Sequence, residues 1–149
     1  MAGLVLSLKP NEKFLVNGAL LENGPKRGQI RVEADGVNVL RLSDVIHPDD
    51  VNTPIKRVYY NAQLVLSGDM TIDEVEAQVK DGLVDLLKVF AGTEMIKNIL
   101  KAANAVEHGR YYSVLCALKP LLHIEQELLT LSQHTDQKDQ AQHSLAAAG

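Results

Sequence analysis

Apolar residues alternate with polar ones near the start of the chain and recur at helical spacing after residue 53, which divides the sequence into two textures. Leu4, Leu6 and Leu8 alternate with Val5 and Ser7, and Lys9-Pro10-Asn11-Glu12 ends the run as a turn. Phe14-Leu15-Val16, Asn17-Gly18 and Ala19-Leu20-Leu21 then predict a hairpin, because a type I′ turn needs positive φ at both central residues and Asn-Gly supplies it. In that register Val16 faces Ala19, Phe14 faces Leu21 and Lys13 faces Glu22. A second hairpin is expected from 29–34, the turn Asp35-Gly36 and 37–41, with Ile30, Val32, Ala34, Val37 and Val39 on its buried side. The expected result is one small antiparallel sheet of about five strands, twisted toward a partial barrel.

The connector 43–52 leads into a helix over 53–67. Thr53 is placed as N-cap and Pro54 at the first helical position. Ile55, Val58, Tyr59, Ala62, Val65 and Leu66 form the inward face, with Lys56, Arg57 and Gln63 opposite. Thr71-Ile72-Asp73-Glu74 is a capping box that opens a second helix, with Ile72, Val75, Val79, Gly82, Leu83, Leu86 and Phe90 inside and Asp73, Glu76, Asp81 and Asp85 on an acidic outer face. Gly92 stops it. Thr93 and Glu94 restart the chain into a third helix with Ile96, Ile99, Leu100, Ala103 and Val106 inside, ending at His108-Gly109. The fourth runs from Arg110 to about Leu131 with Tyr111, Val114, Leu115, Leu118, Leu121, Leu122, Leu128 and Leu129 inside, and Pro120 is expected to kink it. The expected architecture is therefore α+β: one domain over 1–131, β-rich over 1–41 and four-helical over 53–131, with a disordered tail over 132–149.

Composition narrows the function classes. With 46% hydrophobic residues, 149 residues suffice for one domain with its own core. No apolar run approaches a membrane span, the start lacks a signal-peptide pattern, and a single cysteine forms no internal disulfide, so a reducing cytoplasm is expected. The net charge of −4 is unlike that of a non-specific nucleic-acid binder. Its distribution is uneven: residues 1–66 hold eight Lys and Arg against seven Asp and Glu, while 67–149 hold seven against twelve. A polyanion would meet the first half.

Catalytic motifs are not found. The five His, at 47, 108, 123, 134 and 143, lack zinc-site spacing, no nucleophile elbow or phosphate loop is present, and neither a metal, a cofactor nor a small-molecule substrate is implied. Lys26-Arg27-Gly28 is a basic glycine turn that matches no phosphate-binding fingerprint. His47 reads as part of a surface turn, Cys116 as packing, and Glu125, on the apolar side of the last helix, as a carboxylate paired with a basic residue or lying at the exposed edge of the stripe.

Taken in succession, SLKPNEKFLVNGALLENGPKRG, VLRLSDVI, NTPIKRVYY and GRYYSVLCALKPLLHIEQELL resemble the FlbT family of flagellin-expression regulators, over residues 6–129. The resemblance implies a cytoplasmic post-transcriptional repressor in flagellum biogenesis that associates with the 5′ untranslated leader of flagellin mRNA and promotes its decay, and not an enzyme. The chain departs from the family at Leu42-Ser43, where charge is usual, and at Tyr59-Tyr60, where Tyr-Phe is usual. Stacking through that aromatic pair stays open.

Two mechanisms are compatible with this. In one, Lys26, Arg27, Arg31 and Arg41 on the sheet side and Lys56 with Arg57 on the helix contact RNA directly through its phosphates and shape, with the acidic helices facing away. In the other, the protein is an adaptor or chaperone-like regulator acting on flagellin or a partner regulator, and Tyr111, Tyr112, Leu118 and Leu122 form a helix-in-groove surface.

Overall fold

The computed structural model describes residues 4–34 and 36–148, with 132–148 described by backbone alone. Five strands, β1 (Leu4–Leu8), β2 (Lys13–Val16), β3 (Ala19–Glu22), β4 (Gly28–Val32) and β5 (Val39–Arg41), precede four helices, α1 (Pro54–Ser67), α2 (Ile72–Val89), α3 (Ile96–Glu107) and α4 (Tyr111–Ala148). The β2–β3 hairpin has the expected register, and Asn17 and Gly18 at its turn take φ of 48° and 82°.

The second hairpin does not form. Strand β4 pairs with β1, and β5 pairs with β2, giving a two-stranded sheet β1–β4 and a three-stranded sheet β3–β2–β5, all antiparallel. The sheets do not close on each other, so there is no barrel. The physical reason lies in β5. Val39 and Leu40 point to opposite faces and both are buried, so this strand needs apolar cover on each side, which a two-stranded hairpin cannot give it. Beside β2 it receives both: Val39 packs with Leu6, Leu8 and Phe14 in a small strand core, whereas Leu40 joins the large core of the helices. Asn17 fastens the arrangement, its side chain accepting from the Asn38 N–H at 2.9 Å while its own N–H donates to the Asn38 carbonyl at 2.8 Å.

The helices follow their local signals closely at the starts. Thr53 accepts from the Lys56 N–H at 3.2 Å, with Pro54 at the first helical position. Thr71 and Glu74 complete the capping box in both directions, at 3.3 and 3.0 Å. Thr93, expected to open α3, instead donates its hydroxyl to the Phe90 carbonyl at the end of α2, and α3 begins without a side-chain cap. The inner face of α3 is rotated from the expected one: Ile99, Ala102, Ala105 and Val106 are buried, and Leu100 is exposed. Leu128 and Leu129, expected inside, are exposed as well.

Gly82 lets α1 and α2 approach, since a Cβ there would stand 2.7 Å from Val58 Cγ2. Helix α4 continues through Pro120. Cys116, whose carbonyl loses its partner to that proline, and Pro120 itself both lie on the exposed side, where the missing bond does not leave a polar group buried. The helix runs on to Ala148, past the end expected near Leu131, and the expectation of a disordered tail over 132–149 lies outside the residues whose side chains are described. Among the described residues no helix is long and apolar enough to cross a membrane.

Candidate nucleic-acid interface and the joint beside it

Helix α1 presents its first turn at the surface, and the chemistry there depends on what occupies its backbone donors. Thr53 takes one. A second is taken from far along the chain: Glu125 on α4 accepts from the Ile55 N–H at 3.2 Å through Oε2. Glu125 is buried, 4% exposed, and its Oε1 has no hydrogen-bond partner among the described residues. This corrects both expectations for Glu125, because its partner is the positive end of a helix and not a basic side chain or solvent. Two of the backbone donors at the start of α1 are therefore already engaged, and any anion at this end must be met by side chains.

Those side chains differ in freedom. Lys56 is half-buried, with Nζ 3.4 Å from Asn52 Oδ1 and 3.4 Å from Gln126 Oε1. Arg57 is exposed and lines a groove of about 410 Å³ with Pro54, Val58, Asn61, Gln78, Asp81, Gly82 and Asp85. The acids of α2 thus share a groove with Arg57 and do not face away from it. Gln63, expected outside with these cations, is buried and clasps Ile46, accepting from its N–H at 2.8 Å and donating to its carbonyl at 3.0 Å.

On the strand side Lys26 and Arg27 are exposed in the loop before β4, and Arg31 is exposed on β4 opposite Val5. Asn23 shapes that loop by donating to the carbonyls of Lys9 at 2.7 Å and Lys26 at 3.0 Å. Strand β4 packs on β1, whereas α1 packs on α2, α4 and β5, so the basic groups belong to two separate layers.

Arg41 is not displayed. Its Nη1 binds both oxygens of Glu12, at 2.8 and 3.1 Å, and its Nε donates to the Tyr112 hydroxyl at 3.3 Å. Desolvation opposes its charge, but Tyr112, Glu12 and Asp44 outweigh that and hold the guanidinium above its ordinary pKa. Tyr112 touches both cores, so this ion pair marks the joint between strands and helices. A second pair at the joint links Lys119 of α4 to buried Asp44, whose carbonyl accepts the Tyr59 hydroxyl. Burial pushes the Tyr59 hydroxyl up, and Tyr59 is core, so of the aromatic pair only half-buried Tyr60 retains any exposed surface for stacking. The neighbouring Cys116 is exposed, yet partial desolvation of its thiol holds it above its ordinary pKa, the opposite of an activated nucleophile.

The other predicted surface is largely internal. Tyr111 and Leu118 are buried in the helical core, and Tyr112 and Leu122 are half-buried against it. Sequence reasoning missed Glu12, Asp44 and Asn23 altogether. Glu12 stood in a readable turn, but nothing local distinguishes a carboxylate or amide that a distant segment will claim.

Fold and surface together define a small α+β protein with exposed cations on two layers and an internal ion-pair joint. The chain belongs to the FlbT family of flagellar proteins, whose family model matches residues 4–129. It is 31% identical over 133 residues to the probable flagellum biosynthesis repressor protein FlbT of Chelativorans sp. (strain BNC1), covering 89% of this chain and 90% of the relative. To the flagellum biosynthesis repressor protein FlbT of Caulobacter vibrioides (strain ATCC 19089 / CIP 103742 / CB 15) it is 29% identical, over 85% of this chain and 89% of the relative. The probable repressor of Allorhizobium ampelinum is 28% identical over 127 residues. These relatives are named as regulators and not as enzymes. No solved structure matches the chain.

Proposed function

We propose that this protein represses flagellum biosynthesis by binding the 5′ leader of flagellin mRNA directly and promoting its decay, with Arg57, Lys56, Lys26, Arg27 and Arg31 as phosphate contacts. Repression rests on the relatives' names. Direct binding is supported chiefly by the exposure of Arg57, Lys26, Arg27 and Arg31, whose side chains bond to no other described residue. Arg41 is withdrawn from the contact set, because engaging RNA would break its ion pair with Glu12 at the joint. The adaptor reading through Tyr111, Tyr112, Leu118 and Leu122 loses support, since two of the four residues are core.

The test is the double substitution Lys56→Glu/Arg57→Glu. Both residues lie outside the buried face of α1, so the variant is expected to fold. Its affinity for a flagellin leader should fall, and the slope of log affinity against log salt should flatten by about 1.5 for the two lost phosphate contacts. In cells whose flagellar assembly is blocked, flagellin should accumulate. A folded variant with unchanged leader affinity would sink the proposal.

A further inference from the structure

Strand β3 forms one edge of the three-stranded sheet, and its outer side pairs with no described strand. Which of its backbone groups face outward follows from the ladder to β2. Just past β3 the Asn23 N–H donates to the Glu12 carbonyl at 2.8 Å, so these two residues are a hydrogen-bonded pair of that ladder. Such pairs recur at every second residue, which makes Leu21 with Phe14 and Ala19 with Val16 the others. Leu20 and Glu22 therefore turn their N–H and C=O away from β2, and those groups bond to no other described residue. Leu20 and Leu21 are both exposed, on opposite faces of the sheet. Soluble proteins blunt such edges with charge, proline or a bulge, and β3 has only Glu22, which stands opposite Lys13 of β2.

We infer that β3 pairs with β3 of a second copy of this chain, antiparallel about a two-fold axis at Leu21, so that the two three-stranded sheets become one continuous sheet. The pairing needs no RNA. Leu20 and Glu22 flank Leu21 symmetrically, so the two-fold sets Leu20 of each copy against Glu22 of the other. Each of these pairs exchanges both of its N–H···O bonds, and no outward group of β3 is left over. A longer extended peptide from another protein fits less well. The Asn17-Gly18 turn ends the edge on one side; on the other, the Gly24 carbonyl is taken by the Asn11 N–H at 2.9 Å and Pro25 has no N–H to offer. The edge thus accepts a strand of β3's own length. Side chains agree with self-pairing: Leu21 meets Leu21 of the second copy on the face that carries Phe14, and Glu22 lies between Lys13 and Leu20 of the second copy, so like charges do not oppose each other. With eight Lys and Arg against seven Asp and Glu over residues 1–66, two strand halves approach without strong repulsion.

A short strand on each side makes a weak contact, so the full chain is weighed by sedimentation equilibrium from about 1 to 100 μM. The mass should approach twice the 16.3 kDa of one chain at the upper end. Leu20→Glu sets like charges opposite each other and should raise the dissociation constant about tenfold, whereas Leu20→Lys, which meets Glu22, should change it far less. The position is exposed, so both variants are expected to fold, which circular dichroism checks. The register is read by disulfide coupling in a Cys116→Ser background. Leu21→Cys should couple two chains on mild oxidation, because the opposed Cα atoms of a non-hydrogen-bonded pair stand about 4.5 Å apart. Leu20→Cys should not, because residue 20 of the second copy lies two positions along the strand, about 8 Å away. A parent chain that keeps the mass of one chain at the highest concentration overturns the self-pairing and leaves the edge to an extended segment of another protein. A dimer that Leu20→Glu does not weaken, that Leu20→Lys weakens equally, or that couples through position 20 and not 21 overturns it as well.

Discussion

The strand half and the helical half are built to different margins. Among the described residues, the strand core holds Leu6, Leu8, Phe14 and Val39, whereas the helical core continues from Ile55 through Leu121 and takes in one strand residue, Leu40. Two sheets of two and three short strands enclose too little apolar surface to be stable alone. Strand β3 shows the shortage directly: all four residues are exposed, Leu20 at 61% and Leu21 at 44%. The strand half therefore borrows its stability through β5 and through the joint where Arg41, Glu12 and Tyr112 meet. One consequence is functional. Lys26, Arg27 and Arg31 sit on the less buried half, and Arg57 on the more buried one.

The comparison breaks or holds most visibly at β5. Leu40→Ala removes a side chain from the shared helical core and should cost about 3 kcal/mol in chemical denaturation. Val39→Ala empties only the strand core and should speed amide exchange in β1, β2 and β4 while leaving α1 to α4 protected. Equal loss of protection in both halves from Val39→Ala would show that the two cores unfold as one.

Gly82→Ala tests the helical half by itself. The added Cβ meets Val58 Cγ2 at 2.7 Å, so α1 and α2 must part, and the cost of about 1–3 kcal/mol should exceed the roughly 1 kcal/mol that alanine gains in helix propensity. A stabilised variant would mean that the seam is looser than it stands here. Thr71→Ala, which removes one half of the capping box, should cost about 1 kcal/mol with no change in leader affinity.

The smallest effect is alkaline. Burial raises the pKa of Tyr59, Tyr111, Tyr112 and Cys116 in the folded protein. Each then binds its proton more tightly folded than unfolded, so its stabilisation is complete below the unfolded pKa and is lost as pH rises. Stability should be level from neutral pH to about pH 8 and decline above it, as the unfolded thiol and then the phenols ionise. Tyr59→Phe should shallow that decline, as read from denaturation midpoints between pH 7 and 11.

The caps of α1 and α2 and the turn of the first hairpin were legible because each depends on residues a few positions apart. Thr53 with Pro54, Thr71 with Glu74, and Asn17 with Gly18 satisfy backbone donors or positive φ without help from the rest of the chain. The exposed cations among the candidate residues were legible as charge, but their availability was not. Arg41 and Arg57 look alike in sequence, and only the packing of Tyr112 and Glu12 around one of them withdraws it. Strand pairing failed for a related reason. The 29–41 segment has hairpin chemistry, yet Leu40 gains more by entering the helical core beside β2 than β5 would gain by folding back on β4. The sequence by itself determined local geometry, the α+β order and the uneven charge. The partners of β4 and β5, the Glu125 carboxylate at the start of α1 and the groove beside Arg57 were decided by tertiary structure, because a buried group takes its partner from whichever distant segment the shared core brings against it.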